Sequence, residues 1–307
     1  MGSVERPEVS TRQLSDFCRS RLGSDLSEAL FEKGYSSAVF GVRLSNGREV
    51  VLKWRAWRER LRPCHDVQRR MWESGFPCPE PLMPPVRLGD VAVSAEALLR
   101  GGSSLDRGLE AAARLGGALA AFVGAAPTLA SVTGPLGPDM GFLRWSHPGT
   151  GLWPRATDVA ADVQPRVEPE WLTEHGQAVR ERLRRVPGPL VVGHGDWWSD
   201  NVRWDGARLL AVDDWDSVVA LPEPALAGAA AALHGQGSSS LAETETFLDA
   251  YADARGRAWT PDDLEVAWAA GLWARLFDAH KDAMLGWSGG ADRLQDDVDV
   301  RAGRAGL

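Results

Sequence analysis

Between Gly193 and Asp216 the chain reads GHGDWWSDNVRWDGARLLAVDDWD, and this stretch limits the possible folds more than any other. Leu190 to Val192 and Leu209 to Val212 are apolar runs of strand length, and Asp205-Gly206 is a two-residue hairpin signal. The segment is therefore expected to be a strand-turn-strand unit with Asp196, Asn201 and Asp214 at strand ends. A hydroxyl attacking a nucleotide γ-phosphate needs a carboxylate to orient and accept its proton, and oxygen ligands for Mg²⁺. Asp196 suits the first task, Asn201 and Asp214 the second. Taken singly, His, Asp, Asn and Gly are common turn residues, so the weight rests on the constellation.

HxDxxxxN followed by an Asp after the next strand is the order of parts in a kinase catalytic loop and metal segment. HGDWWSDN with VDDWDS resembles the aminoglycoside phosphotransferase and choline kinase-like family, whose members have a protein kinase-like fold. The resemblance implies an α+β, two-lobed protein: a small β-rich N-lobe over residues 1–100 and a larger, mainly helical C-lobe over 101–307. It also implies transfer of phosphate from ATP, or GTP, to a small-molecule hydroxyl with Mg²⁺. By the match, Asp196 takes the catalytic position, Asn201 and Asp214 the metal positions, and Trp215 the aromatic slot. Asp213 stands where the family usually has an aliphatic residue. His194 takes the place of a structural histidine; the sharper alternative is a metallohydrolase centre joining it to His147 or His175.

A kinase needs an upstream lysine for the α- and β-phosphates, and GREVVLKW supplies Lys53 in an apolar strand. Val39 to Leu44 and Glu49 to Trp54 flank the turn Ser45-Asn46-Gly47. The chain has three lysines among its 34 basic residues, so a lysine kept in such a strand points to a need for a compact ammonium charge. Glu32 to Ser37, placed between an expected helix and the first strand, resembles the family's nucleotide loop, with Gly34, Ser36 and Ser37 offering backbone N–H groups. The following helix is expected over His65 to Ser74, and no acid on it falls where the family pairs its lysine. Val91 to Arg100 reads as a buried strand. By resemblance it contains the hinge, where backbone groups near Glu96 and Ala97 would bind a purine edge, and Gly101-Gly102 marks the lobe boundary.

Apolar spacings of three and four predict helices from Leu105 to Phe122 and Trp171 to Val186, the latter stopped by Pro187-Gly188-Pro189. Further helices are expected over Pro224 to Leu233, Leu241 to Ala254 and Pro261 to Leu285. Formal net charge is −8, and most of the acidic excess follows Asp216. Such a surface repels nucleic acid and attracts a cationic small molecule; Asp200, Asp216, Glu223, Asp278 and Asp282 are the acids to consider, beside the plain alternative of a solvated surface. Trp197 and Trp198 are candidates for a substrate wall. No membrane-length apolar run appears and the three cysteines lack a CxxC, so reduced thiols and a cytoplasmic location are expected, with oligomeric state open.

Overall fold

The computed structural model describes residues 6–34, 36–156, 168–186, 188–235, 239–287 and 290–307. Tyr35 of the expected nucleotide loop and Pro187 of the expected helix stop lie outside them. Helix α1 (Thr11–Leu22) opens with Ser10 and Gln13 capping each other's backbone N–H groups, and closes on Gly23 at φ 67°. Five antiparallel strands follow, β1 (Leu26–Lys33), β2 (Ala38–Leu44), β3 (Glu49–Ala56), β4 (Pro81–Leu88) and β5 (Val91–Ala97), in the spatial order β1-β2-β3-β5-β4. β2 is almost wholly buried and β3 is buried over Val50 to Leu52 and at Trp54, as their runs of Val, Leu and Phe require, and Phe17 of α1 packs on Trp54.

Two expectations are corrected here. The nucleotide loop is preceded by a strand, not a helix: Leu26–Lys33 is a largely exposed edge strand whose bulged register against β2 blurs the two-residue alternation. Helix α2 (Leu61–Glu73) begins four residues before His65. Pro63 obscures that start, yet in the first turn its missing N–H costs nothing.

The remainder is mainly helical. Helices α3 (Leu109–Ala125), α4 (Glu170–Arg184), α5 (Glu223–Leu233), α6 (Leu241–Arg255) and α7 (Pro261–Leu285) follow the apolar spacing of the sequence, and α8 (Gly290–Gln295) and α9 (Val298–Arg304) end the chain. Capping boxes at Ser240/Glu243 and Thr260/Asp263 start α6 and α7. α5 lies against α7 at glycine distance: a Cβ on Gly228 would sit 1.9 Å from the Ala267 carbonyl oxygen. No helix among the described residues is long and apolar enough to cross a membrane.

Four short strands carry the motif segment: β6 (Leu190–His194), β7 (Val202–Asp205), β8 (Arg208–Val212) and β9 (Val218–Pro222). β7 and β8 form the expected hairpin, Asp205 pairing with Arg208 across a two-residue turn with Gly206 at φ 57°. β6 does not join that hairpin. It pairs antiparallel with β9, so that His194 faces Val218. β6 and β9, which bracket the segment from Gly195 to Ser217, are thereby held together.

Candidate active site

An aromatic cluster fixes that loop from behind. Phe122 of α3 stacks on Trp215 at 5.2 Å and meets Trp197 edge-on at 5.9 Å and His194 at 6.0 Å. Trp197 is 1 % exposed and its Nε1 donates to the Leu115 carbonyl at 3.1 Å. It is thus a structural anchor and not a substrate wall; Trp198, partly buried, is the one that keeps some exposed surface. Truncating an anchored Trp of this kind costs about 3–5 kcal/mol.

His194 Nε2 donates to the carbonyls of Asp213 and Asp214 at 3.0 and 3.1 Å. Burial holds its imidazole pKa down to about 4, so the ring is neutral and ties β6 to the acid segment. His147 and His175 are engaged locally, with the carbonyls of Leu152 at 3.0 Å and Trp171 at 2.8 Å. Among the described residues no group of three His, Cys, Asp or Glu could hold a metal ion, and the metallohydrolase alternative is dropped.

Two adjoining cavities, of about 410 and 240 Å³, share Ser37 and Asp214. Gly34, Ser37, Lys53, Glu96, Ala97, Asn201 and Asp214 line the larger, and Ser36, Ser37, Asp196 and Asp214 the smaller. Asn201 Nδ2 donates to the Asp196 carbonyl at 2.9 Å and to its Oδ2 at 3.2 Å. Burial pushes the Asp196 carboxyl up to about 6, against the opposing pull of Asn201.

Asp214 adopts φ 60°, the one left-handed non-glycine residue among those described. This turn points its carboxylate at the ammonium of Lys53, 3.8 Å away. Asp213 turns the other way and pairs with Arg203 at 2.6 Å. The hard oxygens of Asn201 and Asp214 on one cavity wall suit Mg²⁺. The Asp214 carboxyl is raised by burial and then by the charge of Asp216, and the nearby Lys53 ammonium offsets only part of this, so a further cation beside it would be favoured.

Sequence reasoning missed two contributors, Arg55 and Arg60. Arg55 pairs with Asp216, and although burial opposes ionisation, Arg55 and Lys53 hold the Asp216 carboxyl far below its ordinary value. Strand alternation carries the signal, because Arg55 lies two residues beyond Lys53 on the same face of β3. Arg60 Nη1 donates to the Asp216 carbonyl at 2.6 Å, drawing α2 onto the acid segment. Glu96 is corrected in its geometry: its side chain, not only its backbone, faces the site, with Oε1 3.0 Å from Lys53 Nζ. Burial works against the Lys53 ammonium, but Glu96, Asp214 and Asp216 outweigh it and raise its pKa.

Of the acids considered for a cationic ligand, Asp200 lines the larger cavity. Glu223 is buried and held by Tyr251, Arg255 and Arg257, so it has no part in such contacts. Asp216 is engaged by Arg55, and Asp278 lies 3.9 Å from Lys281.

Residues 28–222 match the family described as phosphotransferase enzyme family. None of the curated proteins matches the chain. Among solved structures, a spectinomycin phosphotransferase in complex with ADP and spectinomycin is similar at 11% identity and TM-score 0.59, over 97% of this chain and 94% of that one. A choline/ethanolamine kinase family protein from Mesorhizobium loti gives 16% and 0.60, over 96% and 92%. An amicoumacin kinase in complex with AMP-PNP and Ca²⁺ gives 9% and 0.64, over 97% and 93%. At these identities the likeness is one of fold.

Proposed function

This chain belongs to the phosphotransferase enzyme family, and from that premise we propose that it transfers the γ-phosphate of ATP, or GTP, to a hydroxyl of an amine-bearing small molecule. An aminoglycoside or another amine-bearing antibiotic is the acceptor class we favour; a sugar, amino alcohol or homoserine-type metabolite is the alternative, and a nucleotide-binding pseudokinase scaffold, which would show no turnover with any acceptor, is the alternative outside that chemistry. The observation that carries the reading is the convergence of Lys53, Asn201, Asp214 and Asp196 where the two cavities meet. The nucleotide would occupy the larger cavity, its base toward Ala97 and its phosphates toward Lys53 and the loop of Gly34, Ser36 and Ser37. Asn201 and Asp214 would hold Mg²⁺, which supplies charge neutralisation for the phosphates.

In the smaller cavity Asp196 would orient the acceptor hydroxyl. As the hydroxyl oxygen bonds to the γ-phosphorus, the bond to the β,γ-bridging oxygen breaks and the hydroxyl proton passes to Asp196. The catalytic gain comes from positioning and preorganised charge. Residues 1–100 would thus serve the nucleotide and 101–307 the chemistry and acceptor. A nucleoside triphosphate donor fits a cytoplasmic setting. The acceptor preference draws support from the acidic excess after Asp216.

Mg²⁺-dependent transfer should be assayed across a panel of aminoglycosides, other amine-bearing antibiotics, amino alcohols and sugars. Asp196→Ala should lower turnover by about 10²–10⁴-fold while nucleotide affinity stays near that of the parent. Asp214→Ala should also lose the Mg²⁺ dependence of nucleotide binding. Full activity of the Asp196 variant would sink the assignment.

A further inference from the structure

The helix that flanks Lys53 offers it no carboxylate. On α2, Asp66 is taken up by Arg69 and Arg70 at 2.8 and 2.9 Å, and Glu73 by Arg69 at 2.6 Å. The α2 side chain that reaches inward to the sheet is a neutral one. Gln68, 5 % exposed, donates from Nε2 to the Pro79 carbonyl at 3.2 Å and to Glu96 Oε2 at 3.1 Å. The other oxygen of Glu96 contacts Lys53. Among the described residues, the acids within ion-pair distance of that ammonium are Glu96 and Asp214.

We propose that Glu96 is the positioning residue for Lys53, that Gln68 braces it, and that the lysine's carboxylate partner is therefore supplied by the sheet and not by the helix. The strand register explains the geometry. Lys53 pairs with Ser94 and Val51 with Glu96, so Lys53 and Glu96 are diagonal neighbours on one face of adjacent antiparallel strands. A helix-borne partner makes the lysine's placement depend on where the helix sits. Here both members belong to one hydrogen-bonded ladder, and α2 contributes only a neutral hydrogen bond to the far oxygen. Glu96 also stands at the wall of the nucleotide cavity beside Ala97 and Leu98, so its charge sets the lysine and limits the depth available to the base.

This inference rests on the nucleotide-binding reading of Lys53, and its test separates the two. Affinities for Mg²⁺·ATP and for adenosine are to be compared in the full chain and in Lys53→Ala, Glu96→Gln and Gln68→Leu. Loss of the charge-assisted contact in Glu96→Gln should weaken Mg²⁺·ATP by about tenfold or more, with adenosine, which has no phosphates, bound as in the parent. Gln68→Leu should weaken Mg²⁺·ATP several-fold in the same selective way, and it decides the matter alone should Glu96→Gln fail to fold. Unchanged Mg²⁺·ATP affinity in these variants, with a loss in Lys53→Ala, would overturn the role of Glu96 and leave the nucleotide reading standing. Equal weakening of adenosine and Mg²⁺·ATP would mark Glu96 as a cavity-wall residue and overturn the proposal too. Unchanged Mg²⁺·ATP affinity in Lys53→Ala would refute the reading beneath it.

Discussion

Gly116 and Gly117 are neighbours in α3, and replacing each with Ala should move stability in opposite directions. Helix propensity treats the two alike: Gly→Ala in a helix interior stabilises by about 0.5–1 kcal/mol. The surroundings do not. A Cβ on Gly117 meets nothing within 4 Å, whereas a Cβ on Gly116 would lie 2.3 Å from the Phe247 carbonyl oxygen of α6. A backbone oxygen cannot rotate away as a side chain can, so the helices must part, and overpacking of this kind costs about 1–3 kcal/mol or more. After subtracting the propensity gain, Gly116→Ala should destabilise by up to about 2 kcal/mol, and because that gain is common to both positions the two variants should differ by about 1–3 kcal/mol. In thermal unfolding that gap corresponds to roughly 2–5 °C in a chain of this size. The loss should extend to activity, because the carbonyl that holds Trp197 belongs to Leu115, the preceding residue. Equal stabilisation by both substitutions would refute the close-packed reading of the α3–α6 crossing.

Cys18, Cys64 and Cys78 are buried, and burial raises all three thiols, Cys64 and Cys78 to about 12. Iodoacetamide at pH 8 should therefore leave the native protein unmodified over minutes and add three groups after denaturation; rapid native labelling by mass spectrometry would contradict this. His234 is buried against Phe247, with burial lowering its pKa. The unfolded chain takes up that proton below about pH 6.5 while the folded one resists. Its contribution to stability is thus present above that pH and lost as pH falls, so urea titrations between pH 7.5 and 5 should show a shallower pH slope in His234→Gln, and identical slopes would exclude the effect.

Features set by neighbouring residues were legible in the sequence. The Asp205-Gly206 turn and the helix spacings are local, and the structure places the turn and helices α4 to α7 where the residues imply. What escaped depends on distant partners. Leu190–Val192, Leu209–Val212 and Val218–Leu221 are interchangeable as apolar runs, so nothing local says that β6 pairs with β9. Trp197 and Trp198 are likewise identical neighbours in sequence, and only the position of α3 buries the first. The acid beside Lys53 comes from across the sheet, and its pairing depends on a strand register that no local pattern in the sequence reveals.

Arg203 remains to be followed outward. From β7 its Nη1 reaches the carbonyls of Leu99 at 3.1 Å and Gly101 at 2.7 Å, while its other nitrogens grip Asp213. Ser103 and Trp204 exchange backbone hydrogen bonds just beside it. The connection between the sheet and the helices is therefore riveted, not slack, despite its two glycines. The next residue along from the gripped Asp213 is Asp214, so the tie that holds residues 99–101 to β7 ends one position from it.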